Sequence, residues 1–491
     1  MAAAKQLLAF DLGAESGRGI LGRFDGQRLS LEVVHRFPNG PVRLPDGLYW
    51  DILGLYREML AGLRKCGAEH GGIDALGVDT WGVDFAFLGR GGVLLGNPRH
   101  YRDPHTETAM DEALARVPKL EVFRQTGVQF MRINSLYQLL AMQRDRSPLL
   151  DSAETLLMVP DLLNYFFTGS KVCEMSDVST SQMYNPTTKN WAFDLLKSFG
   201  LPTHIFGPIV QPGEVLGTLR PAVASEAGVQ PVPVVAPGTH DTAAAVAAVP
   251  AASQTWAYIS SGTWSLMGVE LPAPLINEQV LGYNFTNEGG VAGTIRFLKN
   301  IMGLWLVQEC RRSWERAGKA WSYDELARLA AAAPPFASLV NPDDTAFLLP
   351  ADMPQALADF CRRTGQSAPQ EPGAVVRCAL ESLALRYRWV LERLEELTGS
   401  QLEVIHIVGG GSQNELLCQF TADACNRPVV AGPVEATAIG NLLVQAVGLK
   451  LLGSLADARA VVAQSFDVKS YAPRNASAWD EPYQRFLKCI A

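Results

Sequence analysis

At 491 residues the chain is too long for one hydrophobic core, so we expect two large domains, or three. It is 48% hydrophobic and 19% charged, which is the composition of a soluble globular protein. A net charge of −8 argues against a nucleic-acid partner. The sequence has no run of about eighteen apolar residues, so a membrane helix is not expected.

The first feature in chain order is a hairpin around Gly13 and Gly17. The apolar run 7–10 predicts a strand, and an apolar pattern resumes at Ile20. Glycines in such a turn let consecutive backbone N–H groups approach phosphate oxygens, although a purely structural turn is the alternative. The apolar run is too short for the hydrophobic region of a signal peptide, so we expect a cytoplasmic protein.

Strand-like and helical runs alternate further along the chain, which indicates an α/β fold. We expect buried strands at 75–78, 232–236 and 404–408, an amphipathic helix at 373–398 that ends at Gly399, and a helix at 415–425. The first two of these strands each run into acidic residues, Asp79 and Asp84 in one case and Asp241 in the other.

A faint internal repeat relates the two halves of the chain. When Gly13 is aligned with Gly262, an apolar strand, a polar pair, a glycine and a turn serine coincide. This match predicts two halves that begin with the same strand–turn–strand unit, with a hinge near residues 245–255. The chain contains no G-x-x-x-x-G-K-[ST], which excludes a P-loop site, and no G-x-G-x-x-G in it supports a Rossmann or protein-kinase nucleotide site.

The cysteines and histidines indicate no metal centre of their own. The eight cysteines form no C-x-x-C pair and the histidines form no H-E-x-x-H, so a zinc site is not expected. In a reducing compartment the cysteines are thiols by default. A disulfide between Cys361 and Cys378 stays open.

Several segments spread over the chain carry the strongest functional signal. They are residues 11–14 (DLGA), 79–85 (DTWGVDF), 240–242 (HDT), 260–268 (SSGTWSLMG), 287–290 (NEGG), 298–306 (LKNIMGLWL), 406–411 (HIVGGG) and 431–441 (AGPVEATAIGN). Together they resemble the FGGY family of carbohydrate kinases over essentially the whole chain. The resemblance implies an α/β protein of two actin-like, ribonuclease H-like ATPase domains with an active-site cleft between them. Residues 1–248 would hold the sugar site and the catalytic Asp, and residues 249–491 the ATP site.

The resemblance implies an ATP-dependent kinase in which Asp241 is the base that takes the proton of the attacking hydroxyl. From the local sequence alone, Asp241 could instead be a helix N-cap, because a run of alanines follows it. The resemblance assigns Asp11 to Mg²⁺, which we expect to be held partly through water.

The residues that the resemblance places around ATP are Ala14, Glu15, Ser16, Gly17, Arg18, Thr263, Gln308 and Gly410. Arg18 could meet the γ-phosphate or be a solvated strand end. The carboxylate of Glu15 would repel a triphosphate, so we expect it to point away. Gln308 could equally be a polar residue on a helix face.

The residues that the resemblance places around the sugar are Gly82, His240, Asp241, Thr242 and Asn300, with Trp81, Asp84, Arg102 and Asp103 as candidates. The backbone at Gly82 can approach a hydroxylated ring closely, and Trp81 could pack on the apolar face of a deoxy sugar. Asn300 could also be a polar residue on a helix face. The run 101–103 (YRD) departs from the W-x-D-x-R pattern of many family members and agrees with the type that acts on L-rhamnulose.

The implied reaction is therefore the phosphorylation of L-rhamnulose at its C1 hydroxyl by Mg-ATP, in rhamnose catabolism. Two alternatives stay open. One is a kinase for another ketose or deoxy sugar such as L-fuculose, and the other is a non-enzymatic ATP-dependent switch on the same fold. Monomer and homodimer are both compatible with the sequence.

Overall fold

The computed structural model describes residues 4–251 and 255–490 and divides into two units. The first unit comprises Met1–Pro250, Glu270–Phe297 and Ala436–Phe466, and the second comprises Ala251–Val269, Leu298–Glu435 and Asp467–Ala491. The first unit is discontinuous, because two later segments join the N-terminal half. The assignment of domains at 1–248 and 249–491 stays a prediction. Residues 1–3 of the N-terminus and 252–254 of the predicted hinge lie outside the described residues.

The strands are β1 (Lys5–Leu12), β2 (Ser16–Phe24), β3 (Leu29–Pro38), β4 (Pro41–Leu44), β5 (Gly47–Trp50), β6 (Ala75–Thr80), β7 (Phe85–Leu88), β8 (Thr155–Met158), β9 (Cys173–Glu174), β10 (Tyr184–Asn185), β11 (Asn190–Trp191), β12 (Ile209–Val210), β13 (Val215–Thr218), β14 (Pro233–Val235), β15 (Trp256–Ser261), β16 (Trp264–Leu271), β17 (Thr286–Gly289), β18 (Ile295–Met302), β19 (Val404–Val408), β20 (Val429–Ala431) and β21 (Lys469–Tyr471).

The helices are α1 (Ile52–His70), α2 (Ala109–Arg116), α3 (Lys119–Thr126), α4 (Ser135–Arg144), α5 (Pro148–Asp151), α6 (Val159–Thr168), α7 (Met175–Val178), α8 (Phe193–Ser198), α9 (Pro221–Ala227), α10 (Asp241–Ala247), α11 (Glu278–Tyr283), α12 (Trp305–Arg316), α13 (Tyr323–Ala332), α14 (Met353–Arg363), α15 (Pro372–Thr398), α16 (Glu415–Cys425), α17 (Ala436–Gly448), α18 (Leu455–Ser465) and α19 (Asp480–Ile490).

The sheet of the first unit has the strand order β13-β14-β6-β1-β2-β3. Strand β1 pairs in parallel with β6, and β6 pairs in parallel with β14. The register places Asp11 opposite Asp79, and an isolated bridge places Thr80 opposite His240. Because the carboxyl ends of parallel strands meet at one edge, the sheet brings these polar residues together there.

The second unit repeats this arrangement with strands β18-β16-β15-β19-β20-β21. As in the first unit, an antiparallel hairpin is followed by two parallel pairings and a final antiparallel one. The backbone N–H of Gly13 donates to Ser16 at 3.0 Å, and that of Gly262 donates to Trp264 at 2.8 Å. These matching turns confirm the repeat expected from the sequence.

The elements predicted from hydrophobic periodicity are present in the structure. The strands expected at 75–78, 232–236 and 404–408 are β6, β14 and β19, and the helix expected at 415–425 is α16. The amphipathic helix is α15, and it ends where Gly399 adopts a left-handed φ of 67°.

Helix α17 fixes the position of α10, the helix that begins at Asp241. It packs against α10 and against strands β1 and β6, all within the first unit. A Cβ atom at Gly440 would overlap the carbonyl oxygen of Ala244. The glycine therefore permits a backbone contact that no other residue allows.

All cysteines lie within the described residues and are free thiols. Cys361 and Cys378, whose pairing the sequence left open, are therefore not joined by a disulfide in the structure. Over residues 4–251 and 255–490, no helix combines the length and apolar character that crossing a membrane requires.

Candidate active site

Three carboxylates, those of Asp11, Asp79 and Asp241, are neighbours in the first unit. Asp79 is fully buried, and its Oδ2 accepts a hydrogen bond of 2.6 Å from Nδ2 of Asn441. Burial raises the pKa of Asp79 well above its usual value, and the nearby charges of Asp11 and Asp241 raise it further. Asp241 keeps 31% of its side chain exposed against 5% for Asp11, so Asp241 is the most accessible of the three.

Asp11 is paired with Arg18 across the β1–β2 hairpin. The two residues are in register, and a guanidinium nitrogen of Arg18 lies 2.7 Å from Oδ2 of Asp11. Arg18 is partly exposed, with 23% of its side chain accessible. Arg18 thus forms an ion pair with Asp11, one of the three clustered carboxylates. The alternative that Arg18 is a purely solvated strand end is wrong.

Asp241 is the first residue of α10 and does not cap it. The N-cap position belongs to His240, whose side chain makes no capping hydrogen bond. The capping interpretation of Asp241 is therefore wrong. Oδ1 of Asp241 accepts a hydrogen bond of 3.1 Å from the hydroxyl of Thr242 and lies 3.4 Å from Nε2 of His240.

The loop that carries His240 is held by the buried carboxylate of Glu174. Oε2 of Glu174 accepts from the backbone N–H and the hydroxyl of Thr239, at 2.9 and 2.7 Å. The backbone N–H of His240 donates to the hydroxyl of Ser176 at 3.1 Å. These contacts hold Thr239 and His240, the two residues that immediately precede Asp241.

Gly82 lies in the turn after β6, where space is short. A Cβ at Gly82 would meet the hydroxyl oxygen of Thr180 at 2.9 Å and its methyl carbon at 3.0 Å. The same hydroxyl accepts a 3.0 Å hydrogen bond from the backbone N–H of Val83, which has a left-handed φ of 68°. The turn is therefore built around the absence of a side chain at Gly82.

Asp84 is a buried acceptor for the indole of Trp81 and its neighbours. Its Oδ2 accepts from the indole N–H groups of Trp50 at 2.6 Å and Trp81 at 3.0 Å and from the backbone N–H of Tyr101 at 3.2 Å. Its Oδ1 accepts from Nε2 of Gln138 at 2.8 Å. Burial raises the pKa of Asp84 to about 7, although these donors lower it. Its hydrogen bonds hold Trp81 in place, and a direct contact of Asp84 with the sugar stays a prediction.

Arg102 and Asp103 are buried beside this aromatic group. The guanidinium of Arg102 lies 5.2 Å from the ring centre of Tyr101. Asp103 accepts from the backbone N–H groups of Leu48 at 2.6 Å and His105 at 2.9 Å. Burial opposes the ionisation of Asp103, but its hydrogen bonds from His105 and Leu48 hold its pKa below the usual value.

The predicted first phosphate loop is the turn between β1 and β2 and the start of β2. It contains Ala14, Glu15, Ser16 and Gly17. Asn39 braces this turn, since its side-chain amide donates to the carbonyl of Gly13 at 2.8 Å and its backbone N–H donates to that of Glu15 at 3.0 Å. A Cβ at Gly17 would overlap the ring of Phe37.

The predicted second phosphate loop, in the second unit, is joined to the start of α12. The carbonyl of Thr263 accepts from the backbone N–H groups of Gly303 at 3.2 Å and Trp305 at 3.1 Å. Gln308 lies one turn further along α12. Within the described ranges its side-chain oxygen is buried without a hydrogen-bond partner.

Gly410 lies in a turn after β19 that is packed on the end of β15. A Cβ at Gly411 would overlap the hydroxyl of Ser261, whereas a Cβ at Gly410 would meet no atom within 4 Å. Gly410 therefore faces open space, as a residue beside a ligand must. Asn300 lies in β18, so its interpretation as a helix-face residue is wrong, and its contact with the sugar stays a prediction.

Three residues near the site were given no role from the sequence: Asp79, Glu288 and Arg296. Asp79 opens one of the segments that carried the family resemblance, and an Asp at the carboxyl end of a strand adjacent to β1 was a usable signal. Glu288 lies in another such segment, but its ion pair with Arg296 cannot be read from the sequence. Arg296 lies 55 residues after Asp241 in the chain, and only the fold reveals that it contacts His240 at 3.0 Å.

The acid cluster fits a magnesium ion. Oδ1 of Asp79 is buried with no hydrogen-bond partner among the described residues, and carboxylate oxygens are the ligands that Mg²⁺ prefers. Within the same ranges, no three His, Cys, Asp or Glu side chains are arranged to hold a metal by themselves. A metal at Asp11 and Asp79 would complete its shell with water and phosphate oxygens.

Comparisons with known proteins agree with this chemistry. Residues 7–248 match the N-terminal domain, and residues 257–449 the C-terminal domain, of the FGGY family of carbohydrate kinases. The chain is 47% identical over 486 residues to a protein of Bacteroides thetaiotaomicron named rhamnulokinase, covering 99% of both chains. It is 40% identical over 465 residues to a rhamnulokinase of Oceanobacillus iheyensis, covering 95% of this chain and 98% of the relative.

Solved structures show the same fold. A ligand-bound xylulose kinase from Lactobacillus acidophilus superposes with a TM-score of 0.80 at 15% sequence identity, covering 99% of this chain and 97% of that one. At this identity the likeness concerns the two-domain fold. The domain matches and the full-length relatives together establish that the chain belongs to the FGGY family of carbohydrate kinases.

Proposed function

We propose that the protein transfers the γ-phosphoryl group of ATP to the C1 hydroxyl of L-rhamnulose, giving L-rhamnulose 1-phosphate in rhamnose catabolism. The observation that carries this proposal is the full-length similarity to relatives named rhamnulokinase, at 40 to 47% identity over at least 95% of the chain. An accessible carboxylate beside two buried ones supports the phosphoryl-transfer chemistry.

In this proposal Asp241 takes the proton of the attacking hydroxyl as the phosphoryl group arrives. Its exposure of 31% lets a small substrate reach it. The sugar is bound by Gly82, Trp81, Thr242 and Asn300. Asp84 accepts a hydrogen bond from the indole of Trp81. Arg102 and Asp103 shape the wall beside Tyr101.

The nucleotide contacts come from loops in this proposal. In the first unit, the turn 14–17 offers its N–H groups to phosphate oxygens, and Arg18 supplies a cation. In the second unit, Thr263, Gln308 and Gly410 bind the nucleotide. The unpartnered oxygen of Gln308 and the open face of Gly410 support this assignment.

Asp11 and Asp79 hold Mg²⁺ in this proposal. The ion, when bound, neutralises charge on the phosphates. Arg18, which pairs with Asp11 at 2.7 Å, then has the phosphate as its second anionic partner.

We expect Asp11→Asn to raise the Mg²⁺ concentration needed for half-maximal activity by about 10- to 100-fold, because the substitution removes an anionic ligand. The measurement is a magnesium titration of the initial rate at saturating ATP and sugar. Glu69→Gln, an exposed acid on α1, is the matched control and leaves the titration unchanged. An unaltered magnesium dependence in Asp11→Asn would remove Asp11 from the metal site.

A sugar panel tests the proposed substrate. ADP release is measured in a coupled assay with L-rhamnulose, L-fuculose, D-xylulose and glycerol. We expect kcat/KM for L-rhamnulose to exceed that of each other acceptor by about tenfold or more, since hydroxyls that find no partner in the site are costly. A higher value for L-fuculose would identify a sister kinase. ADP release that no sugar stimulates would favour the non-enzymatic switch.

A further inference from the structure

Arg296 is a fully buried cation near the base proposed above. Its Nε donates to the carbonyl of Gly289 at 2.8 Å, and a terminal guanidinium nitrogen lies 3.2 Å from Oε2 of Glu288. The same terminal nitrogen lies 3.0 Å from Nδ1 of His240. A buried guanidinium is costly unless it is paired, and Glu288 provides the opposite charge.

The chemistry of arginine decides the tautomer of His240. Nδ1 of His240 lies 3.0 Å from the guanidinium of Arg296 and 3.5 Å from Oε2 of Glu288. A guanidinium has only donors, so in the shorter of these contacts Nδ1 accepts from Arg296 and carries no proton. The ring proton then resides on Nε2. Nε2 lies 3.4 Å from Oδ1 of Asp241, so this proton faces the carboxylate. A contact of this length in a ligand-free enzyme commonly shortens when substrate binds.

Oδ1 of Asp241 is thereby the oxygen that both Thr242 and His240 approach. Oδ1 accepts from the hydroxyl of Thr242 at 3.1 Å and faces Nε2–H of His240. These contacts with Oδ1 would restrain the carboxylate and leave Oδ2 to take the proton of the acceptor hydroxyl.

We infer that Arg296, held by Glu288, is a positioning residue that acts on Asp241 through the tautomer of His240. This inference rests on the proposed role of Asp241 as base. Misplacing a reacting group by about 1 Å can cost on the order of 100-fold in rate, so the effect should be seen in kcat.

The first test is Arg296→Met, assayed for sugar-dependent ADP release. We expect kcat to fall by about 10- to 100-fold, while KM for sugar and for ATP stays within about threefold. Since Arg296→Met removes the cation paired with the buried Glu288, the double variant Glu288→Gln/Arg296→Met is made as well, which removes both charges together. It should unfold close to the wild-type temperature with kcat still low. Wild-type kcat in the double variant would overturn the inference, as would a change confined to KM.

The control is Arg377→Met in the second unit. Arg377 pairs at 2.7 Å with Glu381, a buried carboxylate, and has no place in the proposed chemistry. We expect Arg377→Met to lose stability and keep kcat. A similar loss of kcat in this control would make the effect of Arg296→Met a general consequence of breaking a buried ion pair.

The second test asks whether Arg296 acts through His240. His240→Gln should retain several-fold more kcat than His240→Ala, because the glutamine carbonyl can accept from Arg296 while its amide donates to Asp241. His240→Ala should lose about as much kcat as Arg296→Met. Adding Arg296→Met to His240→Ala should then change kcat by less than about twofold, because the two residues form one chain of contacts. Losses that multiply would contradict the inference.

The role of Asp241 as the base is tested separately, with the variant Asp241→Asn. If Asp241→Asn retains the wild-type rate, the role of Asp241 is wrong whatever the His240 and Arg296 variants do. If Asp241→Asn is inactive and Arg296→Met is not, only the positioning role is wrong.

Discussion

Asp241→Asn is expected to lower kcat by about 10²- to 10⁴-fold, because an amide cannot take the proton of the attacking hydroxyl. The substitution conserves shape, and Oδ1 can still accept from Thr242. KM for ATP and the unfolding temperature should therefore change little. The measurement is steady-state kinetics in the coupled ADP assay, together with thermal unfolding of the same preparation.

The matched control for this experiment is Asp111→Asn. Asp111 is an exposed acid in the first turn of α2, within the same unit as Asp241. It should show wild-type kinetics. If Asp241→Asn retains kcat within about threefold of wild type, Asp241 is not the base, and its exposed position at the start of α10 needs another explanation.

Gly440→Ala is expected to destabilise the first unit and to reduce activity together. The added methyl group would overlap the carbonyl oxygen of Ala244, and backbone cannot move aside as a flexible side chain can. Overpacking of this kind costs about 1–3 kcal/mol and sometimes more. Because Ala244 follows Asp241 by three residues on α10, a shift of that helix also moves the base.

Denaturation with guanidinium chloride and the coupled assay measure the two effects of Gly440→Ala. Gly282→Ala is the control, since a Cβ at Gly282 in α11 meets no atom within 4 Å. Alanine there should leave stability unchanged or raise it by up to about 1 kcal/mol. Equal denaturation midpoints for the two variants would show that α10 and α17 are not packed as tightly as described.

Much of the fold follows from local patterns. The strands at 404–408 and 75–78 and the helix at 373–398 were recognisable because apolar periodicity and a terminal glycine are local signals. The repeat of the hairpin at Gly13 and Gly262 was visible as a weak match, and the pairing of the strands made it clear. The discontinuous first unit was not predictable, since it depends on late segments such as 436–466 packing on early strands.

The candidate site was also predictable only in part from the sequence. The sequence placed acids and glycines at strand ends, but it could not show what each side chain faces. Asp84 was a candidate sugar contact, and only the structure reveals that Trp50 on β5 donates to it at 2.6 Å, together with Trp81 and Gln138. Arg296 escaped notice because a buried ion pair between distant residues has no signature in the linear sequence.

The nature of the product tests the central claim most directly. The enzyme is incubated with Mg-ATP and L-rhamnulose, and the phosphorylated sugar is examined by phosphorus and proton NMR. We predict a single sugar phosphate whose phosphorus couples to the two protons of the C1 methylene group, formed only when both ATP and sugar are present. A phosphate on another carbon, or ADP released at the same rate without sugar, would contradict the proposed reaction.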